Sequence, residues 1–265
     1  MAGFDDDLRF AHVLVDAADD ITMRRFRALD LSVQTKPDLT PVTDADLATE
    51  ESLRNVLRRA RPRDAMLGEE YGQTGGANSR CWVIDPIDGT KNFVRGVPVW
   101  ATLVALMADD RVTVGVVSAP ALGRRWWAAE GGGAWTGRSL TKATACRVSS
   151  VARMADASLS YSDLADWGER RNAFVGLASS VWRSRAYGDF WSHVLVAEGA
   201  VDLSAEPVVT LWDLAALQII VTEAGGIFTD LAGNARPDGG SVVCSNGLLH
   251  EEALSLLAAT PDRQA

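Results

Sequence analysis

A chain of 265 residues with 47% hydrophobic and 23% charged composition can bury a substantial core, as one large domain or two closely joined halves. Its 35 acidic against 26 basic residues give a formal charge of −9, which excludes general affinity for nucleic-acid phosphates. Three widely spaced cysteines, Cys81, Cys146 and Cys244, fit reduced thiols in the cytoplasm and exclude a disulfide framework.

The chain opens on Asp5-Asp6-Asp7, acidic where an export signal would be basic and then apolar, so a cytoplasmic protein is expected. Phe4, Leu8, Ala11, Val15 and Ala18 recur at three- or four-residue steps, which predicts an amphipathic helix running to about Phe26. The polar loop Lys36-Pro37-Asp38-Leu39-Thr40-Pro41 follows. Thr43 or Asp44 can cap a second helix that turns Leu47, Leu53, Val56 and Leu57 inward and ends at Arg61-Pro62. The runs 65–67, 81–84, 99–107 and 112–117 predict strands, the last two joined as a hairpin by Asp109-Asp110. The most apolar stretch, 97–107, is too short and too β-prone to cross a membrane. Residues 126–129 and 131–135 predict one more strand pair. From about residue 149, strands at 157–161, 181–186, 201–204 and 227–229 alternate with helices at 170–178, 191–198 and 211–224. The expected fold is α+β, with layered sheets and helices. An N-terminal half over 1–148 and a C-terminal half over 149–265 form one compact unit around a shared cleft.

Chemistry concentrates in Trp82-Val83-Ile84-Asp85-Pro86-Ile87-Asp88-Gly89-Thr90, where an apolar strand runs straight into acids, a proline, a glycine and a hydroxyl. Pro86 fixes the turn, Asp85 and Asp88 can converge on a hard cation, and Gly89 lets the backbone approach an oxyanion. A helix beginning after Gly89 would offer its free N–H groups to phosphate. Taken alone, Asp-Pro-Ile-Asp-Gly is equally a surface turn. Two distant acids bear on the choice: Glu69 in Gly68-Glu69-Glu70 ends another predicted strand, and Asp213 after Trp212 opens a predicted helix. Each alone reads as a solvated turn or a helix cap. Together they make a metal site.

These blocks, with Thr40-Pro41-Val42-Thr43-Asp44 ahead of them and Val221-Thr222-Glu223-Ala224-Gly225-Gly226 behind, resemble the inositol monophosphatase superfamily of Mg²⁺-dependent, lithium-sensitive phosphatases. The match keeps the family's order over nearly the whole chain. It implies a layered αβαβα sandwich of the inositol monophosphatase and sugar phosphatase type, a homodimer, and two or three Mg²⁺ per active site. The resemblance assigns Glu69, Asp85 and the Ile87 carbonyl to one ion, Asp85, Asp88 and Asp213 to a second, and Asp44 to a third and to catalysis. Asp88, Gly89 and Thr90 would bind the phosphate, while Thr90 with Glu69 would orient and deprotonate the attacking water. Lys36 falls near the phosphate side of such a site. Paired ions of this kind stabilise both the entering and the leaving oxygens. The haloacid-dehalogenase pattern Asp-x-Asp-Gly-Thr fits less well, because both Pro86 and Ile87 separate Asp85 from Asp88. Direct attack by water is expected over an aspartyl intermediate.

The stretch Arg183-Ser184-Arg185-Ala186-Tyr187-Gly188-Asp189-Phe190-Trp191-Ser192-His193 resembles the histidinol-phosphatase branch of that superfamily. Inositol phosphatases generally carry small neutral residues near the Asp189 position, whereas a carboxylate there suits the ammonium of histidinol phosphate. Glu206 matches a family acid at the leaving group, and Arg185, Asp189, Asp213 and Glu198 complete the expected substrate contacts. Asp189 by itself can instead cap the next helix, with Arg185 paired to it. His12, His193 and His250 lack metal-ligand spacing. The leading expectation is a Mg²⁺-dependent phosphatase acting on L-histidinol phosphate in histidine synthesis, with no nucleic-acid or membrane partner. Two other readings stay open. One applies the same chemistry to inositol monophosphate, a sugar bisphosphate or a nucleotide 3′-phosphate; the other is a regulatory binding protein that keeps the fold without the turnover.

Overall fold

Three aspartates at the start and two arginines at the end of helix α1 (Asp5–Arg25) match its dipole, and the helix buries Ala11, Leu14, Val15 and Ala18. The computed structural model describes residues 5–37, 39–75 and 79–258, so Phe4 of the predicted stripe and Asp38 of the polar loop lie outside the described residues. That loop is flanked by a short antiparallel pair absent from the sequence-based expectation, β1 (Val33–Thr35) and β2 (Pro41–Thr43). Thr43 then caps α2 (Asp44–Ala60). Its hydroxyl accepts from the Asp46 N–H while the Asp46 carboxylate accepts from the Thr43 N–H, a capping box. The buried face of α2 is more polar than predicted, carrying Asp46, Thr49, Glu50 and Arg54 beside Leu53 and Leu57, while Leu47 is half-buried.

Eight strands build the first sheet: β3 (Ala65–Gly68), β4 (Gly72–Thr74), β5 (Arg80–Asp88), β6 (Ala101–Ala108), β7 (Arg111–Ala119), β8 (Arg124–Ala129), β9 (Ala134–Ser139) and β10 (Lys142–Ala145). Their order is β10-β9-β8-β7-β6-β5-β3-β4, with β3 and β5 parallel and every other neighbour antiparallel. A one-turn helix, α3 (Thr90–Val94), leaves the end of β5. The chain passes to the second sheet between Ala145 and Ser158. That sheet holds β11 (Ser158–Tyr161), β12 (Arg183–Ala186), β13 (Leu203–Glu206), β14 (Ile227–Thr229) and β15 (Val242–Ser245), in the order β12-β11-β13-β15-β14. Strands β12, β11 and β13 run parallel, and β15 is antiparallel to both its neighbours.

Helices α1 and α2 cover the outer face of the large sheet; α5 (Asp189–Ala197) and α6 (Leu211–Glu223) lie between the sheets; α4 (Arg171–Ser180) and α7 (His250–Ala258) cover the far face of the small one. This is the expected αβαβα layering. Helix α6 buries Leu214, Ala215, Ala216, Leu217, Ile219, Ile220 and Val221, apolar all round because sheets flank it on both sides. It meets β7 at Gly115, where a Cβ would stand 2.6 Å from the Ala216 carbonyl oxygen. Only glycine permits that approach, and α6 so seated starts beside the end of β5.

Candidate active site

Asp85 and Asp88 stand three residues apart on β5, and in a regular strand their side chains would point to opposite faces. The pairing of β5 with β6 shifts register between them, and the Pro86 carbonyl accepts from Thr102 Oγ1 at 2.8 Å instead of joining the ladder. Such an irregularity re-aims side chains, here bringing both acids to one side. Asp213, from the first turn of α6, joins them: one carboxylate oxygen of each lies within 4.8 Å of the others. Burial, then repulsion from Glu69, Asp88 and Asp213, holds Asp85 well above the usual carboxylate range. Burial, then Asp189 and Asp213, does the same to Asp88. Burial also pushes Asp213 up to about 6, against two hydrogen bonds from Thr210 and with repulsion from Glu69 and Glu206. Among the described residues no lysine or arginine forms an ion pair with these three acids. Two buried carboxylates and a half-buried one, hard oxygen donors without a counter-charge, fit Mg²⁺.

Glu69 follows β3, and its Oε1 accepts from Lys36 Nζ at 2.6 Å; Glu70 Oε1 accepts from the same ammonium at 2.7 Å. Burial works against the Lys36 charge, but these two carboxylates outweigh it and raise its pKa. Glu70, buried and beside Glu69, is pushed up to about 7 despite its bond to Lys36. The turn is held from below by Glu50, which sequence reasoning missed. Its carboxylate accepts from the Glu70 and Tyr71 N–H groups and from Arg54, and a Cβ on Gly68 would overlap it. The signal was the spacing Asp46, Glu50, Arg54, which puts one polar stripe on a single helix face.

Gly89, with φ +85°, leads into α3. A Cβ there would stand 3.1 Å from the Val99 carbonyl oxygen and 3.2 Å from Asp189 Oδ2, tighter than ordinary contact. Thr90 Oγ1 lies 3.0 Å from the Ile87 carbonyl oxygen and 3.3 Å from Asp46 Oδ1. Asp46 Oδ2 is held by the Thr43 N–H at 2.8 Å, and burial pushes the carboxyl up to about 6. The acid brought to Thr90 is thus Asp46. The structure corrects the expected Asp44, which is half-buried and pairs with Arg25 at 2.6 Å. Residues two apart on a helix are separated by about 200°, so only one of the two can face the cleft. The capping-box spacing Thr43-x-x-Asp46 marked the right one. Asp46→Asn should lower kcat about 10²–10⁴-fold, as loss of a general base does, while Asp44→Asn should stay near wild type. Steady-state phosphate release decides; the reverse ranking would restore Asp44.

The cleft has a volume of about 530 Å³, and the wall facing the triad is acidic too. Asp189 begins α5 with φ +51°, a left-handed conformation rare outside glycine. Two bonds fix it there: the Asp189 N–H donates to Ser162 Oγ at 3.0 Å, and the Phe190 N–H donates to Asp88 Oδ2 at 2.6 Å. Gly188 occupies the cap position, which corrects the expectation of Asp189 as a cap. The Asp189 carboxylate lines the cleft, where Asn92 Nδ2 donates to Oδ2 at 3.3 Å. Burial, then Glu206 and Asp213, pushes it up to about 7. Glu206, at the end of β13, is buried with Oε1 3.4 Å from His193 Nε2.

The model of the inositol monophosphatase family matches residues 5–262. The chain belongs to this family. A histidinol-phosphatase of Streptomyces coelicolor is 60% identical over 263 residues, covering 97% of this chain and 98% of its own. One of Mycobacterium tuberculosis is 58% identical over 256 residues, covering 96% and 98%. Among solved structures, an inositol monophosphatase of Thermotoga maritima superposes with TM-score 0.85 at 30% identity, over 95% of this chain and 96% of that one. That of Zymomonas mobilis gives 0.86 at 30%, over 98% and 100%. In this inositol monophosphatase-family chain Glu69, Asp85, Ile87, Asp88, Gly89, Thr90, Asp189, Glu206 and Asp213 all line one cleft. Two expected substrate contacts are placed elsewhere. Glu198, nine residues along α5 from Asp189 and so about 13 Å away, pairs with Arg124 and accepts from Trp126 Nε1 at 2.7 Å. Arg185, on the exposed edge strand β12, donates to the Ser184 carbonyl at 2.7 Å and not to Asp189.

Proposed function

We propose that the chain hydrolyses L-histidinol phosphate to L-histidinol and phosphate in a Mg²⁺-dependent reaction, in the cytoplasm, as a homodimer and as a step of histidine synthesis. The observation that carries the substrate is Asp189: a half-buried carboxylate, backed by the buried Glu206, across one cleft from the acid triad. A second acidic wall beside a phosphate site suits an ester that also carries a cation, because a neutral polyol would leave the buried charge unpaired. The 60% and 58% identity to proteins named histidinol-phosphatase supports the same substrate.

Glu69, Asp85, Asp88, Asp213 and the Ile87 carbonyl would hold the Mg²⁺. When bound, the metal neutralises these acids, polarises the phosphoryl oxygens and lowers the pKa of the attacking water. Thr90 Oγ1, held between the Ile87 carbonyl and Asp46, orients that water by accepting one of its hydrogens, and Asp46 takes up the proton through the shared hydroxyl. Glu69 shares this task from the β3 side. With no side chain at Gly89 to cover them, the N–H groups that begin α3 can be approached by phosphate oxygens. Asp189 and Glu206 take the ammonium, so the ester spans the cleft with its phosphorus at the triad.

Phosphate release from histidinol phosphate, inositol 1-phosphate, fructose 1,6-bisphosphate and adenosine 3′,5′-bisphosphate, each with Mg²⁺ or a chelator, tests this reading. The expected result is release that needs Mg²⁺ and is strongest from histidinol phosphate. Preference for another ester would reject the substrate and keep the chemistry. Release from none would leave a binding protein.

A further inference from the structure

The buried imidazole of His193 is a polar group to which the chemistry above gives no task. It lies on α5 one turn beyond Asp189 and is 1% exposed. Nδ1 stands 2.9 Å from Ser204 Oγ and 3.3 Å from Cys244 Sγ. Nε2 stands 3.4 Å from Glu206 Oε1. A hydroxyl and a thiol can each donate or accept, so Nδ1 is satisfied with or without a hydrogen. A carboxylate only accepts, so Nε2 keeps its hydrogen in the neutral and the cationic ring alike. Glu206 Oε1 is sealed from solvent and lacks a well-aligned hydrogen bond among the described residues, while His193 Nε2 stands 3.4 Å from it. Asp189 and His193 both line the same cleft.

We propose that His193 is a positioning residue for substrate selection: its Nε2–H draws Glu206 Oε1 toward the core, so that Oε2 and Asp189 together bracket a cationic group of the phosphate ester. This rests on the reading of the cleft as a site for a cationic ester. A histidine kept only for packing needs partners for its ring nitrogens but not a carboxylate that lines the cleft, and burying an imidazole costs more than burying an apolar side chain of that size.

The test compares kcat/KM for histidinol phosphate and for glycerol 2-phosphate, with Mg²⁺, in wild type, His193→Asn, His193→Gln, Glu206→Gln and the double variant His193→Asn/Glu206→Gln. A glutamine amide reaches the place of Nε2, an asparagine amide that of Nδ1. In His193→Asn the ratio of the two values should fall about tenfold or more, mainly through KM, as loss of a hydrogen bond to a charged group predicts. His193→Gln should restore part of it, and His193→Asn should change little once Glu206 is already glutamine. Equal loss on both esters, indistinguishable Asn and Gln variants, or full additivity would overturn the proposal. Should His193→Asn fail to fold, the double variant Ser204→Ala/Cys244→Ala removes both Nδ1 partners and must lower the same ratio; an unchanged ratio overturns it. A wild-type enzyme with no preference for histidinol phosphate overturns the substrate reading and this inference with it. A wild-type preference left intact in every variant overturns this inference alone.

Discussion

Asparagine in place of Asp88 should cut Mg²⁺-dependent phosphate release by about a thousandfold or more, the scale of losing a group on which transition-state charge depends. The amide oxygen can still accept from the Phe190 N–H, so the fold should survive. The metal-free variant should in fact be harder to melt than metal-free wild type, because one buried, mutually repelled charge has gone. For a chain of this size each kcal/mol relieved raises Tm by about 2–4 °C. Added Mg²⁺ should stabilise wild type by mass action and the variant far less. Normal Mg²⁺-dependent turnover in Asp88→Asn would refute the metal assignment.

The same repulsion gives metal-free wild type a pH dependence of definite sign. Asp213 and Asp189 are pushed up to about 6 and about 7, whereas unfolded aspartate titrates near 3.9. Between about pH 4 and 7 the folded chain therefore binds more protons than the unfolded one, and stability falls as pH rises through that window. His12, pushed down to about 4 by burial and then by Arg125, and His250, lowered by burial, oppose the trend as two groups against several. Saturating Mg²⁺ should flatten the slope, since the ion replaces the protons as counter-charge.

Asp189→Asn should lower the ratio of kcat/KM for histidinol phosphate over glycerol 2-phosphate by about ten- to a hundredfold, the worth of one charged hydrogen bond. Asparagine is a cleaner choice than alanine because it tolerates the left-handed backbone at φ +51°. Parallel steady-state kinetics on the two esters give the answer. Equal losses on both would move Asp189 from the ammonium to the phosphate side of the cleft.

The segment from Asp85 to Thr90 was legible because its chemistry is local: acids, proline and glycine at the end of an apolar strand announce a site before any tertiary contact is known. Layering was legible from the alternation of strand and helix in the second half. Asp46 was missed because Asp44 and Asp46 are the same residue type in the same helical turn, and only the angular step of the helix separates them. Strands β4 and β10 were missed because they are short sheet edges of three and four residues. The reach from Glu198 to Arg124 and Trp126, like that from Glu50 to the Glu69 turn, joins residues distant in sequence. The stripe on α2 marks Glu50 and supplies Arg54, but nothing near either acid encodes the distant residues it meets.

Two site acids hang from helix starts in the same way: Asp46 Oδ2 accepts from Thr43, and Asp213 Oδ2 accepts from both the N–H and the hydroxyl of Thr210. In each case one oxygen belongs to the helix and Oδ1 is left outside the cap. The ordering entropy of these carboxylates is thus spent when the helices form and not when a ligand arrives. Thr43 and Thr210, which have no chemistry of their own, therefore carry part of the catalyst's preorganisation: removing either hydroxyl frees the carboxylate it helps to hold.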